Sequence, residues 1–364
     1  MERSLLKSAF TNSQLVAFIN ATREAYLKRT FWQMLFPLVY TTQLTWESLT
    51  GSAGAPVMAD VIEYNSSSPE KTRRVLTKAT GDIPKIGIKR KMDEKDWNDY
   101  NVLKALANDS NKSALLDLVF NDIEFCYTGV LARTEHLCLQ ALSYGSLALD
   151  ANNNNGVITE TTVDLGIPSG NKTASAVTWA TAATATPIAD IKTVVKASEE
   201  AGRGTPMYAL MDRATFNYMV ATTEVKTEWQ GFTGSSNAVY LPTFEQVNNL
   251  LMARGLPRIM IMNSSVRFEN GEHTLSTIAP WKTGYVTFVG DLRVGKTLHG
   301  PIAEENAPSV KNVATMTKNG HVLISKWSQL EPFGEWTKGQ ANAFPVFNDA
   351  DSLYILKTNA TTWS

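Results

Sequence analysis

One stretch of the 364-residue chain matches a named catalytic pattern in full. Gly290-Asp291-Leu292-Arg293-Val294-Gly295-Lys296-Thr297 fits G-x-x-x-x-G-K-[ST], the loop that wraps nucleotide phosphates, and a strand-like run, Tyr285 to Val289, precedes it. A phosphate cradle needs a helix starting at the lysine, because the free N–H groups of that helix hold the anion. Here Leu298-His299-Gly300-Pro301 follows, and Gly then Pro is poor helix material. No apolar run ending in Asp follows to bind magnesium. The stretch reads as strand, turn and strand, and a P-loop NTPase stands only as the alternative.

The other chemistry-bearing residues are weaker signals. Cys126, His136 and Cys138 lie near one another without any zinc spacing, so two thiols packed in a core is the expectation, with no metal and no cofactor. At offset twelve on one helix the thiols stand roughly 18 Å apart, too far to bridge. No G-x-S-x-G, H-E-x-x-H or S-x-x-K nucleophile pattern occurs. The acid pairs Glu199-Glu200 and Glu304-Glu305 are adjacent in sequence and read as solvated faces. The residues 73–91 concentrate basic side chains: Arg73, Arg74, Lys78, Lys85, Lys89, Arg90 and Lys91, with Lys71 just before. They could meet nucleic acid or acidic patches on a neighbouring subunit. With 34 Lys and Arg against 35 Asp and Glu, a net charge of -1, and no aromatics interleaved in the run, subunit pairing is the stronger reading.

Composition sets the frame for these residues. With 43% hydrophobic and 19% charged residues the chain is globular rather than disordered. No stretch approaches the roughly 18 apolar residues of a spanning helix. The start, MERSLLKSAF, has no secretory pattern, so synthesis in the cytoplasm is expected. The length predicts two or three packed units.

The elements then fall in order. A helix capped at Asn12 or Ser13 carries Leu15, Phe18, Ile19 and Tyr26, and an aromatic stretch with Phe31, Trp32, Phe36 and Tyr40 follows. From Thr50 to Met92 two β-like runs, 56–64 and 73–91, flank a polar tip. A ribbon with so little apolar mass is marginal alone and must lie on something else. Asp93 opens a helical region, broken near residues 108–111. A long helix follows, from about Ser113 to Tyr144, with a stripe of Leu116, Val119, Ile123, Tyr127, Val130, Thr134, Leu137 and Ala141, spanning roughly 45 Å. A strand is predicted at 157–167 and a loop at 169–186. Helices are predicted at 187–201, at 212–220 behind an Asp212 cap, and at 243–253. Strands are predicted at 207–211, 259–262, 273–278, 284–290, 322–327 and 353–358, the last two flanking a Pro/Gly-rich stretch.

This order, with particular motifs, resembles the major capsid proteins of tailed bacteriophages. The motifs are Gly81-Asp82-Ile83-Pro84-Lys85-Ile86 leading into Lys89-Arg90-Lys91-Met92-Asp93-Glu94, and Trp179-Ala180 followed by Pro187-Ile188-Ala189-Asp190-Ile191. Met211-Asp212-Arg213-Ala214-Thr215-Phe216 is a third, and Gly284 to Val289 with His299-Gly300-Pro301 a fourth. The texture is that of the lambda-like major capsid protein E family. The resemblance implies an α+β Hong Kong 97-type fold: an N-terminal arm (1–49), an extended hairpin loop (50–92), a peripheral domain with a spine helix (93–168), an axial domain (169–320) and returning strands (321–364). It implies a non-enzymatic virion protein, assembled in the host cytoplasm into hexamers and pentamers of an icosahedral procapsid. The shell would enclose double-stranded DNA without reading its sequence, with no membrane and with scaffold, portal and decoration proteins as possible partners. Expected subunit-contact residues are Lys71, Arg73, Arg74, Lys78, Lys85, Lys89, Arg90, Phe31, Trp32 and Phe36. Another virion component, a tail-tube or decoration protein, is the second alternative. Some family members crosslink a hairpin lysine to a neighbour's asparagine; no partner residue is assignable here.

Overall fold

The computed structural model describes residues 2–3, 12–50, 77–105, 109–150, 153–154, 161–234, 241–269, 274–307, 315–331 and 333–363. In chain order the elements are β1 (Glu2–Arg3), α1 (Asn12–Leu27), α2 (Trp32–Leu35), β2 (Leu38–Tyr40), β3 (Thr45–Thr50), β4 (Thr77–Asp82), β5 (Lys85–Met92), α3 (Glu94–Ala105) and α4 (Asp109–Tyr144). Next come β6 (Ser146–Leu149), β7 (Thr161–Asp164), β8 (Lys172–Ala174), α5 (Pro187–Glu200), β9 (Tyr208–Met211), α6 (Arg213–Ala221), α7 (Thr223–Thr233) and α8 (Phe244–Ala253). The rest are β10 (Arg258–Ile261), β11 (Val266–Glu269), β12 (Leu275–Ile278), β13 (Tyr285–Val289), β14 (Gly295–His299), α9 (Ala303–Asn306), β15 (Thr315–Asn319), β16 (Val322–Leu330), β17 (Phe333–Phe347) and β18 (Tyr354–Lys357). The described residues fall into two units, one within Met1–Trp46, Gly81–Cys138 and Lys296–Pro345, the other within Glu47–Thr80, Leu139–Gly295 and Val346–Ser364.

The first unit is built on a seven-stranded sheet in the order β1-β16-β17-β14-β2, with β15 added to β16 and β5 added to β17. Helix α4 lies on one face of it. Ile123, Tyr127, Val130 and Thr134, from the stripe that helical spacing predicted, are buried, and Cys126 and Leu131 are buried beside them. The contact is close because glycine stands on both sides. A Cβ at Gly129 would meet Ile88 of β5 at 2.9 Å, and one at Gly339 of β17 would stand 2.9 Å from the Cys126 carbonyl carbon. This is the ordinary meaning of a glycine inside a strand, namely close approach of another backbone. Strand β17, 15 residues long, was not predicted. Its Gly334, Gly339 and Pro345 read as loop punctuation in isolation, and only pairing with β16 and β5 on its two sides offsets their poor β-propensity.

The second unit has a five-stranded sheet, β10-β9-β13-β18-β8, parallel at its two outer pairs and antiparallel within. Helices α5, α6, α7 and α8 bury Ile188, Ile191, Phe216, Val225, Val247 and Leu251 against Ala209, Met211, Val286 and Phe288. Local chemistry sets the helix ends. The Asp212 carboxylate accepts the Thr215 N–H at the start of α6, and Thr243 with Gln246 forms a reciprocal capping box on α8. Gly202 and Gly255, at φ 70° and 69°, follow α5 and α8, a conformation open to glycine at little cost. The helices predicted at 187–201, 212–220 and 243–253 are thus present within a residue or two. Helix α7 was missed. Its N-cap is Thr222, which accepts the Val225 N–H, and Val225, Trp229 and Phe232 recur at helical spacing, a signal the sequence reading passed over.

The basic run 73–91 is two elements rather than one return strand. β4 pairs with β3, whereas β5 pairs with β17 in the large sheet. The predicted strand 56–64 and the hairpin tip lie outside the described residues.

Candidate functional site

The geometry removes the nucleotide loop. Gly290 to Val294 form the turn between β13 and β14, and Gly295 to His299 are strand, not helix. Thr297, where the motif would place its metal-binding hydroxyl, is fully buried, and its Oγ1 donates to the Phe36 carbonyl at 3.1 Å. No row of helical N–H groups faces an anion there.

The thiols are core residues. Cys126 donates to the Thr337 carbonyl at 3.4 Å, and Cys138 lies 3.6 Å from the Thr297 hydroxyl. Burial pushes the Cys126 thiol up to about 11, with the nearby Asp122 charge adding to it, and burial raises Cys138 further, so neither is a thiolate near neutral pH. Among the described residues no cluster of His, Cys, Asp or Glu has a metal-holding arrangement. No helix of the described residues is long and apolar enough to cross a membrane.

The adjacent acids are ion-pair partners. Glu304 meets Lys338 at 2.7 Å, Lys85 at 3.4 Å and the Gln340 amide at 2.7 Å. Burial opposes its ionisation, but the Lys338 hydrogen bond and charge, with Gln340 and Lys85, hold the Glu304 carboxyl below its ordinary value. Glu305 pairs with Lys318 at 2.7 Å. A catalytic acid needs a pKa moved toward neutrality, and Glu304 moves the other way.

The ten predicted contact residues separate into three groups. Lys71, Arg73 and Arg74 lie outside the described residues, and Lys78 is placed as a backbone position in β4. Three basic residues of β5 turn to their own chain: Lys85 to Glu304, Arg90 to Asp122 at 3.3 Å, and Lys89 to the Trp336 ring at 4.8 Å. Among the aromatics, Trp32 and Phe36 are corrected. They are 1% and 0% exposed inside the first unit, and a side chain with no surface cannot meet a neighbour. Phe31 is half-buried.

What holds that aromatic stretch is a residue the sequence did not single out. Glu135 of α4 is fully buried, and its carboxylate accepts the N–H groups of Phe31 (3.1 and 3.2 Å) and Trp32 (2.8 Å). It thereby takes up first-turn donors of α2 that otherwise have no partner. Only the fold brings positions 103 and 104 residues apart together; a lone Glu in an apolar helical stripe was the available signal. Glu224 does the same in the second unit, accepting Ile188 N–H at 2.7 Å and Ala189 N–H at 3.2 Å at the start of α5. Two histidines lie in the Trp32 core as well. His321 is 3% exposed, bonded to the Thr134 hydroxyl at 3.3 Å, edge-on to Trp32 at 5.5 Å and 6.2 Å from the His299 ring.

Thr297, Cys126, Cys138, Glu304, Glu305, Glu135 and Glu224 are thus engaged with partners of their own chain. The family comparison gives the chain its class. The model for phage major capsid protein E matches residues 12–358, and the chain belongs to that family. Solved structures agree on the fold. A prophage capsid protein of E. coli CFT073 has a TM-score of 0.58 at 15% identity, covering 96% of this chain and 99% of its own. A phage-related protein of Bordetella bronchiseptica RB50 gives 0.52 at 12% identity, with 94% and 96% covered. The cyanophage A-1(L) capsid gives 0.50 at 12%, with 91% and 92% covered. None of the curated proteins compared is a significant match. The fold is the Hong Kong 97-type α+β capsid fold, and the chain is a phage major capsid protein.

Proposed function

We propose that this chain builds the wall of an icosahedral phage head as hexamers and pentamers, assembled in the host cytoplasm, with scaffold, portal and decoration proteins as candidate partners, and encloses double-stranded DNA without reading its sequence. The observation that carries the reading is the family match across 12–358. Unfinished surface supports it. Met207, Leu241, Met252 and Leu275 of the second unit are each more than half exposed, with Tyr218 and Phe232 close to half. Large apolar side chains in that number are what a subunit carries when neighbours complete its burial.

The proposed regions are the arm (1–49), hairpin loop (50–92), peripheral domain (93–168), axial domain (169–320) and returning strands (321–364). Subunit contact is proposed for Lys71, Arg73, Arg74 and Lys78 of the hairpin and for Phe31. Lys85 and Arg90 are drawn to carboxylates of their own chain. Near-neutral net charge suits a wall that must hold DNA and let it go. The reading contains no catalytic step and no cofactor. Sedimentation velocity of the purified chain tests it: capsomer-sized or larger species are expected, and a single compact monomer at high concentration would overturn it.

A further inference from the structure

The face of the large sheet that points away from α4 gathers charge that the sequence keeps apart. Its orientation is fixed by contacts on the opposite side: Ile88 on Gly129, Arg90 on Asp122 and Phe125, and Gly339 on Cys126. Side chains alternate across a strand, so Lys85, Lys89 and Lys91 of β5 share the far face. The register sets Trp336 beside Lys91, Lys338 beside Lys89 and Trp327 beside Trp336, and it brings Lys318 of β15 to the same side through Leu323 and Gln340. Five ammonium groups therefore share a face with the carboxylates Glu304 and Glu305, which pair with Lys85, Lys338 and Lys318.

Lys89 and Lys91 are left over. Both are exposed, and neither has a carboxylate partner among the described residues. Their ammonium groups share one ring, Lys89 at 4.8 Å and Lys91 at 5.9 Å from the Trp336 centroid, and Trp327 stacks on that ring at 6.5 Å and 14°. An aromatic face restrains a cation without cancelling its charge. Two residues along a strand is ~6.8 Å at ~3.4 Å each, inside the ~8 Å Debye length of physiological salt, so the two potentials add. A duplex carries one phosphate charge per ~3.4 Å of axis on each strand, so two ammonium groups this close can face neighbouring phosphates.

We infer that this lysine–tryptophan face is a seat for the phosphate backbone of double-stranded DNA. The inference rests on the shell reading above and names which surface of the subunit meets the enclosed polymer. Complementarity favours a polyanion, and two uncompensated ammonium groups make the contact shallow: it takes any sequence, weakens with salt and does not trap the duplex. The sequence alone hid it, because Trp327 and Trp336 lie more than two hundred residues from Lys89 and Lys91.

The test is anisotropy of a labelled 30-base-pair duplex with full-length protein across a salt series, comparing wild type with Lys89→Gln/Lys91→Gln, and assembly followed in parallel by electron microscopy. Removing two phosphate contacts should flatten the slope of log K against log salt by about 2, at ~0.9 per contact, with shells still forming. Unchanged affinity and slope in a variant that still assembles would overturn the inference and leave the shell reading standing. Loss of assembly by the variant with DNA affinity retained would make the face a subunit contact. Displacement of the duplex by poly-glutamate at equal charge concentration would reassign it to an acidic protein. If wild type forms no shells the shell reading fails, and the salt series on unassembled chains still decides the seat.

Discussion

His321 should make the first unit acid-sensitive in a window where carboxylates scarcely titrate. Its ring lies between α2, α4 and β14, facing Trp32, Thr134 and His299, with the charges of Arg23 on α1 and Lys318 on β15 close by. Burial is the main reason its pKa falls from 6.5 to about 3, and His299, Arg23 and Lys318 push the same way. The folded state thus binds its proton less readily than the unfolded chain. The contribution of neutral His321 is complete above the ordinary value of 6.5 and is lost as pH falls from there toward 3. At ~1.36 kcal/mol per pKa unit the full loss is on the order of 5 kcal/mol, and ~2 kcal/mol of it has gone by pH 5. His299, also lowered by burial first and then by Lys318, acts in the same direction, with Glu305 opposing. The assay is the urea midpoint of the unassembled chain at pH 8 and pH 5, for wild type and His321→Gln. Glutamine can still bond the Thr134 hydroxyl but cannot titrate. Wild type should lose ~2 kcal/mol more than the variant over that interval. Equal pH dependence in the two proteins would refute the reasoning.

Other consequences are equally direct. Glu135→Ala strips the acceptor from the Phe31 and Trp32 amides, so it should cost ~2–4 kcal/mol and speed hydrogen exchange at those two amides, with Glu135→Gln restoring part of the protection. Gly339→Ala drives a methyl into the Cys126 carbonyl and should lower stability by ~3 kcal/mol or prevent folding. Gly231→Ala, in α7 with open space around it, should instead raise the denaturant midpoint, as a helical glycine gives way to alanine at a gain of up to ~1 kcal/mol. Deleting residues 66–77 of the hairpin should leave the circular dichroism and melting of the subunit nearly unchanged while abolishing assembly; loss of subunit folding would count against a contact role for that loop.

Much of the second unit could be read in advance because its signals are local. Asp212, the Thr243 capping box and the glycines at 202 and 255 mark helix ends within a few residues of sequence, and in the first unit α4 announces itself by one long apolar stripe. The motif family Gly284 to Pro301 was legible too, once Gly300-Pro301 ruled out a helix after Lys296. What escaped depends on contacts between distant positions. β17 looks like a loop until β16 and β5 flank it. Trp32 looked like an interface aromatic because the buried carboxylate that holds its amide, Glu135, is a hundred residues away. Lys89 and Lys91 read as part of a featureless basic run, and only the strand register shows that Arg90 between them turns to Asp122 while they turn to Trp336. Local propensity has no access to such partners.

The central claim, that the chain is a wall subunit completed by copies of itself, is tested most directly by a cryo-electron micrograph of the chain expressed alone or with its scaffold. Closed shells of uniform diameter showing fivefold and sixfold capsomers are the result this account predicts. A field of separate, single-subunit particles at every concentration and in both expressions would contradict it.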